Sequence, residues 1–186
     1  MLEILYELAT SKEYALFYSN PQQPDKFKFG YILAVNEKEI ALHEISPDGK
    51  FDGVIVMESE RIFRVEKNSR YGDKMMKLYS DPKILDWLTP IDQNRIFYSV
   101  LSNVALKEKV VSVELYDSGY YATSGFVDQV QNGQCTIRQI DDYGYDDGIT
   151  SFFISDVSEL VVSSDIETRI EKLWKINKNT EDAHSF

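Results

Sequence analysis

The chain contains a single cysteine and only two histidines among its 186 residues. A lone cysteine cannot form an internal disulfide, and we interpret Cys135 as a small apolar core residue. Of the histidines, His184 lies in the polar tail, and His43 falls within a predicted strand, where we expect it to be half exposed. The chain therefore has almost none of the histidine and cysteine side chains that a histidine-based catalytic triad or a structural zinc site requires.

Long apolar runs are also missing, and no stretch approaches the roughly 18 consecutive apolar residues of a membrane span. Residues 1–14 lack the positive start and the apolar core of a signal peptide, and no glycine motif that cradles phosphate is present. We therefore expect a cytoplasmic protein that does not insert into a membrane. Without a catalytic set, we predict that it is not an enzyme and that it binds no cofactor.

Basic residues are outnumbered, because 20 Lys and Arg face 31 Asp and Glu, for a net charge of -11. Through Pro90 the count is 12 against 15, and in the remainder it is 8 against 16. Neutralisation of phosphates by Lys and Arg dominates nucleic-acid affinity, so the acidic second half disfavours general binding of RNA or DNA. A local basic stripe on the first half keeps RNA binding open as an alternative.

The most informative feature that is present is a stretch that occurs twice, from Gly30 to Gly53 and again from Gly125 to Gly148. An offset of 95 residues aligns the two copies without a gap, and 9 of the 50 positions from 30 to 79 are identical to their counterparts. The identities fall mainly on turn glycines and apolar positions, where backbone geometry and burial restrict the choice of residue. The repeat predicts two domains, 1–90 and 91–186.

Each copy contains five short runs with the composition of strands, flanked by helical patterns. The runs of the first copy are 14–19, 26–36, 39–45, 53–57 and 61–65, and those of the second are 111–116, 120–131, 134–140, 148–154 and 157–162. Ser164 and Glu167 match a capping box at the start of a C-terminal helix. We predict a mostly β protein with flanking helices (α+β), built from two tandem five-stranded barrels. We expect the terminal helices to pack the halves together or to bind another subunit.

The order of a short helix, a bent glycine-containing strand and further short strands resembles the Sm-like and SH3-like small barrels over about 65 residues of each copy. The first Sm-like motif is approximated by Gly30, Ile32, Val35, Asn36, Ile40 and Leu42. The wider pattern is also similar to tandem-barrel proteins of Gram-positive bacteria. Where RNA-binding Sm-like proteins have an asparagine beside a stacking side chain, this chain has Lys38 and Glu39, and the second copy has Gly133 and Gln134. The resemblance therefore implies the fold and not the nucleotide pocket.

An acidic segment stands out in the second copy, where four aspartates lie between Asp141 and Asp147. Clusters of oxygen ligands favour hard cations, but the spacing is not that of a calcium-binding loop. The aligned part of the first copy keeps only Asp48 and Asp52. The alternative is a solvated turn whose aspartates accept hydrogen bonds from backbone amides. We favour the turn and predict no metal site.

Five tyrosines cluster in the loops of the second copy, beside these aspartates. Tyrosine presents apolar area with a polar tip at low entropic cost, which suits protein interfaces. Alternation of several of these side chains into the barrel core is the competing interpretation. We predict a non-catalytic binding module or regulatory adaptor that contacts a protein partner through Tyr116, Tyr120, Tyr121, Tyr143, Tyr145, Asp141, Asp142 and Asp146.

The alternative function, RNA binding in the manner of an Sm-like protein, depends on the first copy. Basic side chains interleave there with aromatic ones, an arrangement that attracts single-stranded RNA. The same alternation along strands fits a solvated outer face, so both interpretations stay open. The residues concerned are Lys26, Lys28, Arg61, Arg64, Lys67 and Arg70, with Phe27, Phe29 and Phe63.

Overall fold

The computed structural model describes residues 1–79, 85, 87–88, 90–116 and 123–183, with side chains described through residue 180. Within these ranges the chain forms ten strands, which pair in antiparallel fashion, and four α-helices. The predicted class, mostly β with flanking helices, is confirmed at this level. The chain divides into two compact units, Met1–Phe97 (unit 1) and Tyr98–Phe186 (unit 2). The sequence placed this division near residue 90.

Unit 1 consists of a helix, five strands and a second helix. Its strands lie in the order β5-β1-β2-β3-β4, so the last strand pairs with the first. A single turn of 3-10 helix, Ser59–Arg61, precedes the last strand. The bounds are α1 Leu2–Ser11, β1 Ala15–Tyr18, β2 Lys28–Val35, β3 Glu39–Ile45, β4 Phe51–Glu58, β5 Arg64–Glu66 and α2 Arg70–Leu78.

Unit 2 repeats this order of elements. Its strands lie in the order β10-β6-β7-β8-β9, and a turn of 3-10 helix, Ile154–Asp156, again precedes the last strand. The helix that leads into the unit begins two residues before the division. The bounds are α3 Ile96–Leu106, β6 Val110–Leu115, β7 Thr123–Gln131, β8 Gln134–Ile140, β9 Asp146–Phe153, β10 Val157–Val162 and α4 Asp165–Ala183.

Two glycines at the 95-residue offset occupy the same position in the two units. A Cβ atom added to Gly30 on β2 would lie 1.8 Å from the His43 carbonyl oxygen, and one added to Gly125 on β7 would lie 2.0 Å from that of Arg138. The neighbouring strand therefore approaches too closely for any side chain. Each strand also shifts register shortly after its glycine, which bends the sheet at the predicted place.

Two helices begin at serines that cap them. The capping box at the start of α4 is confirmed, because the Ser164 amide donates to Glu167 Oε2 (3.0 Å) and the Ile166 amide donates to Ser164 Oγ (3.2 Å). Ser69 caps α2 in a similar way, accepting a hydrogen bond from the Gly72 amide (3.0 Å). None of the described helices is long and apolar enough to cross a bilayer.

An aromatic core fills one side of the unit 1 sheet and corrects one prediction. His43 on β3 is 1 % exposed, not half exposed as expected from its place in a strand. Its ring stacks on Tyr31 (4.6 Å between centroids) and meets Phe51 at 4.7 Å. Tyr79, just after α2, packs on the same imidazole at 6.1 Å, so both strand neighbours and the helix end cover it. Burial lowers the pKa of His43 to about 4.

Candidate functional site

The sequence-predicted partner-binding residues fall mostly on or beside one turn of unit 2. Residues 141–145, which we call the tyrosine turn, join β8 to β9 and contain Asp141, Asp142, Tyr143 and Tyr145, and Asp146 is the first residue of β9. Tyr116 directly follows β6. Strand β7 pairs with β6 on one side and with β8 on the other, so the end of β6 and the tyrosine turn flank the start of β7. Tyr120 and Tyr121 lie outside the described residues.

Asp141 holds the tyrosine turn together. Its Oδ1 atom accepts hydrogen bonds from the backbone amides of Tyr143 (3.0 Å) and Tyr145 (2.8 Å). The Asp141 amide donates to the Tyr145 carbonyl (2.9 Å), and the Gly144 amide donates to the Asp141 carbonyl (3.0 Å). These bonds confirm the interpretation of the segment as a turn in which an aspartate caps backbone amides. Asp141 therefore fixes the backbone of the turn, and the tyrosine rings provide its exposed apolar area.

Helix α4 fixes the tyrosine turn from a second side. Asn177 Nδ2 donates to the carbonyl oxygens of Tyr143 (2.9 Å) and Gly144 (3.1 Å). Gly144 is buried at φ +82°, and an added Cβ would lie 2.5 Å from the Trp174 backbone nitrogen. Only glycine combines this left-handed conformation with so close an approach to a helix. The backbone of the turn is consequently held both by its own hydrogen bonds and by α4.

The described tyrosines of the predicted site point into solvent. Tyr143 is 75 % exposed, Tyr145 52 % and Tyr116 44 %. The competing interpretation, in which tyrosines of these loops alternate into the core, does not hold for these three. Two of them, Tyr143 and Tyr145, lie on the turn whose backbone is held by Asp141 and Asn177.

Arg138 organises the acidic side of this surface, and the sequence reasoning did not single it out. Its guanidinium lies 3.8 Å from Asp146 and 3.8 Å from Asp128, measured to one carboxylate oxygen of each. The same group lies over the rings of Phe126 (5.4 Å) and Trp174 (5.5 Å). Arg138 thus lies between Asp146, at the start of β9, and Trp174 of the helix that holds the turn.

The repeat contained a signal for these missed residues. An offset of 95 places Arg138 opposite His43 and Trp174 opposite Tyr79, two members of the buried aromatic core of unit 1. A charged residue at such a position requires partners of its own, which here are two carboxylates and two aromatic faces. Asn177 has no comparable signal, because its role depends on where α4 passes the turn.

The described side chains include no group of three or more His, Cys, Asp or Glu residues placed to hold a metal ion. Asp141 of the tyrosine turn uses Oδ1 for two amide hydrogen bonds, and Asp146 of β9 faces Arg138. These two carboxylates therefore point toward backbone amides and a guanidinium. What the surface offers chemically is net negative charge beside exposed aromatic rings.

The basic and aromatic residues predicted in unit 1 do not all lie on one surface. Phe29 is 3 % exposed and belongs to the core, and Phe27 packs its ring edge-on against Tyr71 (4.9 Å). Phe63, at 41 % exposed, is the most open of the three predicted phenylalanines. Arg64 lies over Tyr18 (4.4 Å to the ring centroid) and pairs with a neighbouring carboxylate. Strand alternation thus sends Phe29 of β2 inward, and Phe27, just before the strand, packs against the same core.

Comparisons of the chain with protein-family models, with curated proteins and with solved structures find no match. Function must therefore be inferred from the residues themselves. On the tyrosine turn, hydrogen bonds and a buried glycine fix the backbone that carries the exposed groups.

Proposed function

We propose that the chain is a non-catalytic cytoplasmic binding module or regulatory adaptor that acts through protein–protein contacts. The tyrosine turn of unit 2 is its contact surface. In this proposal each unit is a small barrel of the Sm-like or SH3-like type, used as a rigid scaffold. The strand order, the glycine bend and the 3-10 turn before the last strand of each unit support that assignment.

The observation that carries the proposal is the exposure of Tyr143 and Tyr145 on a backbone fixed by Asp141 and Asn177. Binding normally loses free energy when loops and side chains become ordered, and a surface that is already ordered avoids most of that loss. Tyrosine adds to this effect, because it brings a large amphipathic ring with few rotatable bonds. Exposed aromatic residues on a rigid turn are therefore well suited to anchor a partner.

The charge of the surface indicates the chemistry of the partner. Asp142, Asp146 and Asp147 are exposed around the two tyrosines, and the chain from residue 91 onward carries twice as many acidic as basic residues. Complementary charge speeds association and suppresses partners of the wrong sign. A partner that presents Lys or Arg beside apolar side chains fits these features best.

RNA binding through unit 1 is the competing function, and the arrangement of that unit favours it less. Stacking of bases needs exposed aromatic rings beside free cations. Phe29 is buried, Phe27 packs in the core, and the Arg64 guanidinium already lies on Tyr18 and beside Glu66. Sensitivity to ribonuclease distinguishes binding of RNA from binding of a protein partner.

The test is affinity purification of the tagged full-length protein from its native cytoplasm, with and without ribonuclease. We expect a protein partner that survives ribonuclease and that is lost when Tyr143→Ala and Tyr145→Ala are combined. Tyr6→Ala is the matched control, because Tyr6 is also exposed (42 %) but lies on α1 of unit 1. With the purified partner, we expect the double variant to weaken binding by about 100-fold, since two anchor side chains are removed.

Two results would contradict the proposal. Recovery of ribonuclease-sensitive material alone would assign the protein to RNA. A partner that binds the double variant and the Tyr6→Ala control equally well would move the contact surface away from the tyrosine turn.

A further inference from the structure

Strand β9, which directly follows the tyrosine turn, has one edge without a strand partner among the described residues. It pairs with β8 from Gln134 to Arg138 and, after a shift of register, again at Ile140, and no described strand of unit 2 lies on its other side. The backbone N–H and C=O groups along such an edge form a template for another extended chain. Proteins use this template to bind peptides by adding a strand to the sheet.

The corresponding strand of unit 1 is covered. In β4, Val54 and Val56 are both 0 % exposed, and their neighbours Ile55 and Met57 are buried as well. The 95-residue offset places Ile149 of β9 opposite Val54, yet Ile149 is 69 % exposed. The same strand position is therefore buried on both faces in one unit and open in the other.

The outer face of β9 is apolar in the places where a partner would lie. Ile149 and Phe153 (54 % exposed) point to this face with Ser151 between them, because side chains alternate along a strand. Ser151 is tied to Thr136 of β8 by a hydrogen bond of 2.9 Å between hydroxyl groups. Phe152 points the other way and is 8 % exposed. Two large apolar side chains at this spacing match alternate side chains of an added strand.

The distribution of charge along β9 favours one orientation of an added strand. Asp146 and Asp147 open β9, next to the acidic tyrosine turn, whereas Ile149 lies in its middle and Phe153 at its end. Every strand pair within the two units is antiparallel, and an added strand that keeps this pattern would end where β9 begins. Basic residues of the incoming segment would then belong at its C-terminal end.

We propose that the free edge of β9 binds an extended peptide segment of a protein partner as an antiparallel strand. The segment carries Lys or Arg at its C-terminal end, facing Asp146 and Asp147, and apolar side chains beside Ile149 and Phe153. Because it names the partner of the tyrosine turn, this binding mode rests on the proposed function. It adds backbone pairing to the aromatic contacts of the turn.

A synthetic peptide tests this binding mode on the full-length protein. The probe is a short, fluorescently labelled peptide that alternates valine and threonine and ends in lysine and arginine, measured by fluorescence anisotropy. Two matched peptides carry N-methyl groups on alternate residues, one set on each edge of the extended chain. Only one edge of the peptide can face β9, so we expect one methylated set to weaken binding by at least about tenfold and the other to have little effect.

Protein variants locate the contact. Ile149→Thr combined with Phe153→Thr removes apolar area from the outer face while it keeps β propensity, and we expect about a tenfold loss of peptide affinity. Ile176→Thr is the control, since Ile176 is exposed (50 %) nearly as much as Phe153 (54 %) but lies on α4. A second peptide with its basic residues moved to the N-terminal end is expected to bind more weakly than the first.

Several outcomes would overturn the binding mode. One is failure of the probe to bind, and another is binding that neither N-methyl set weakens. Sedimentation that shows self-association of the full chain, abolished by the Ile149→Thr and Phe153→Thr variant, would assign the edge to a second copy instead. The proposed function is judged separately, because loss of the native partner in the Tyr143→Ala and Tyr145→Ala variant would support the tyrosine turn even if the peptide fails.

Discussion

Single residues at equivalent positions of the two units have taken opposite roles. His43 is buried between the rings of Tyr31 and Phe51, whereas its counterpart Arg138 remains partly exposed between two carboxylates. The offset also pairs Phe51 with Asp146, so an apolar partner of the histidine becomes an ionic partner of the arginine. The neutral aromatic core of unit 1 is thus replaced in unit 2 by a charged cluster at the edge of the proposed binding surface.

The buried histidine makes stability depend on pH in a defined direction. Burial lowers the pKa of His43 to about 4, below its ordinary value in an unfolded chain. As the pH falls toward 4, the His43 imidazole binds a proton in the unfolded state but not in the folded state. The free energy of unfolding therefore falls. We expect this one group to remove about 2 kcal/mol between pH 7 and pH 5.

The measurement is urea unfolding of the wild type and of His43→Phe at both pH values. Subtraction of the two proteins cancels the carboxylates that they share, and the difference should show the His43 contribution. His184→Ala, which alters the histidine of the C-terminal tail, should behave as the wild type does. An identical pH dependence in wild type and His43→Phe would contradict a buried neutral imidazole.

At the scale of elements, local signals placed the turns and helix starts. Asn132 and Gly133 adopt positive φ angles of 52° and 76°, as a two-residue hairpin requires, and they join β7 to β8. The Gly49 amide donates to the Ser46 carbonyl (2.9 Å), which closes the β-turn between β3 and β4. These features depend on a few neighbouring residues, and so the local sequence is sufficient to specify them.

Glu167 connects helix α4 to the sheet of unit 2 and supplies an element-scale prediction. One carboxylate oxygen caps the Ser164 amide, and the other accepts a hydrogen bond from the Ser112 hydroxyl (2.6 Å). The side chain is only 2 % exposed, so both partners lose their bonds if it is removed. We expect Glu167→Ala to lower the free energy of unfolding by about 2 kcal/mol.

Urea unfolding followed by circular dichroism measures this effect. Glu167→Gln is the matched control, because its amide oxygen still accepts one hydrogen bond and its volume is nearly unchanged. We expect it to lose less than half as much as Glu167→Ala. Equal stability of Glu167→Ala and the wild type would show that the cap and the Ser112 contact contribute nothing.

At the scale of the whole molecule, the net charge of -11 supplies a long-range field. A basic partner is drawn toward such a surface, and salt screens the attraction over about 10 Å at 0.1 M. We expect the association rate with the partner to fall as the salt concentration rises, while the dissociation rate changes less. Stopped-flow measurements over a series of salt concentrations give both rates.

Paired charge variants separate local from general electrostatics. Asp142→Asn with Asp147→Asn should flatten the salt dependence, because both aspartates are exposed beside the tyrosines. Glu3→Gln with Glu7→Gln changes the net charge equally but on α1 of unit 1, and we expect a smaller effect. Equal effects of the two pairs would indicate attraction to the molecule as a whole rather than to the tyrosine turn.

The sequence by itself determined the order of elements, the 95-residue offset and the caps and turns, because these follow from backbone geometry and from hydrogen bonds between near neighbours. Only the tertiary structure decided that His43 is buried and that Phe29 points inward. It also placed Asn177 on the tyrosine turn and left Ile149 exposed on β9. The physical reason is that burial and side-chain partners depend on residues far apart in the chain, whose approach no local pattern specifies.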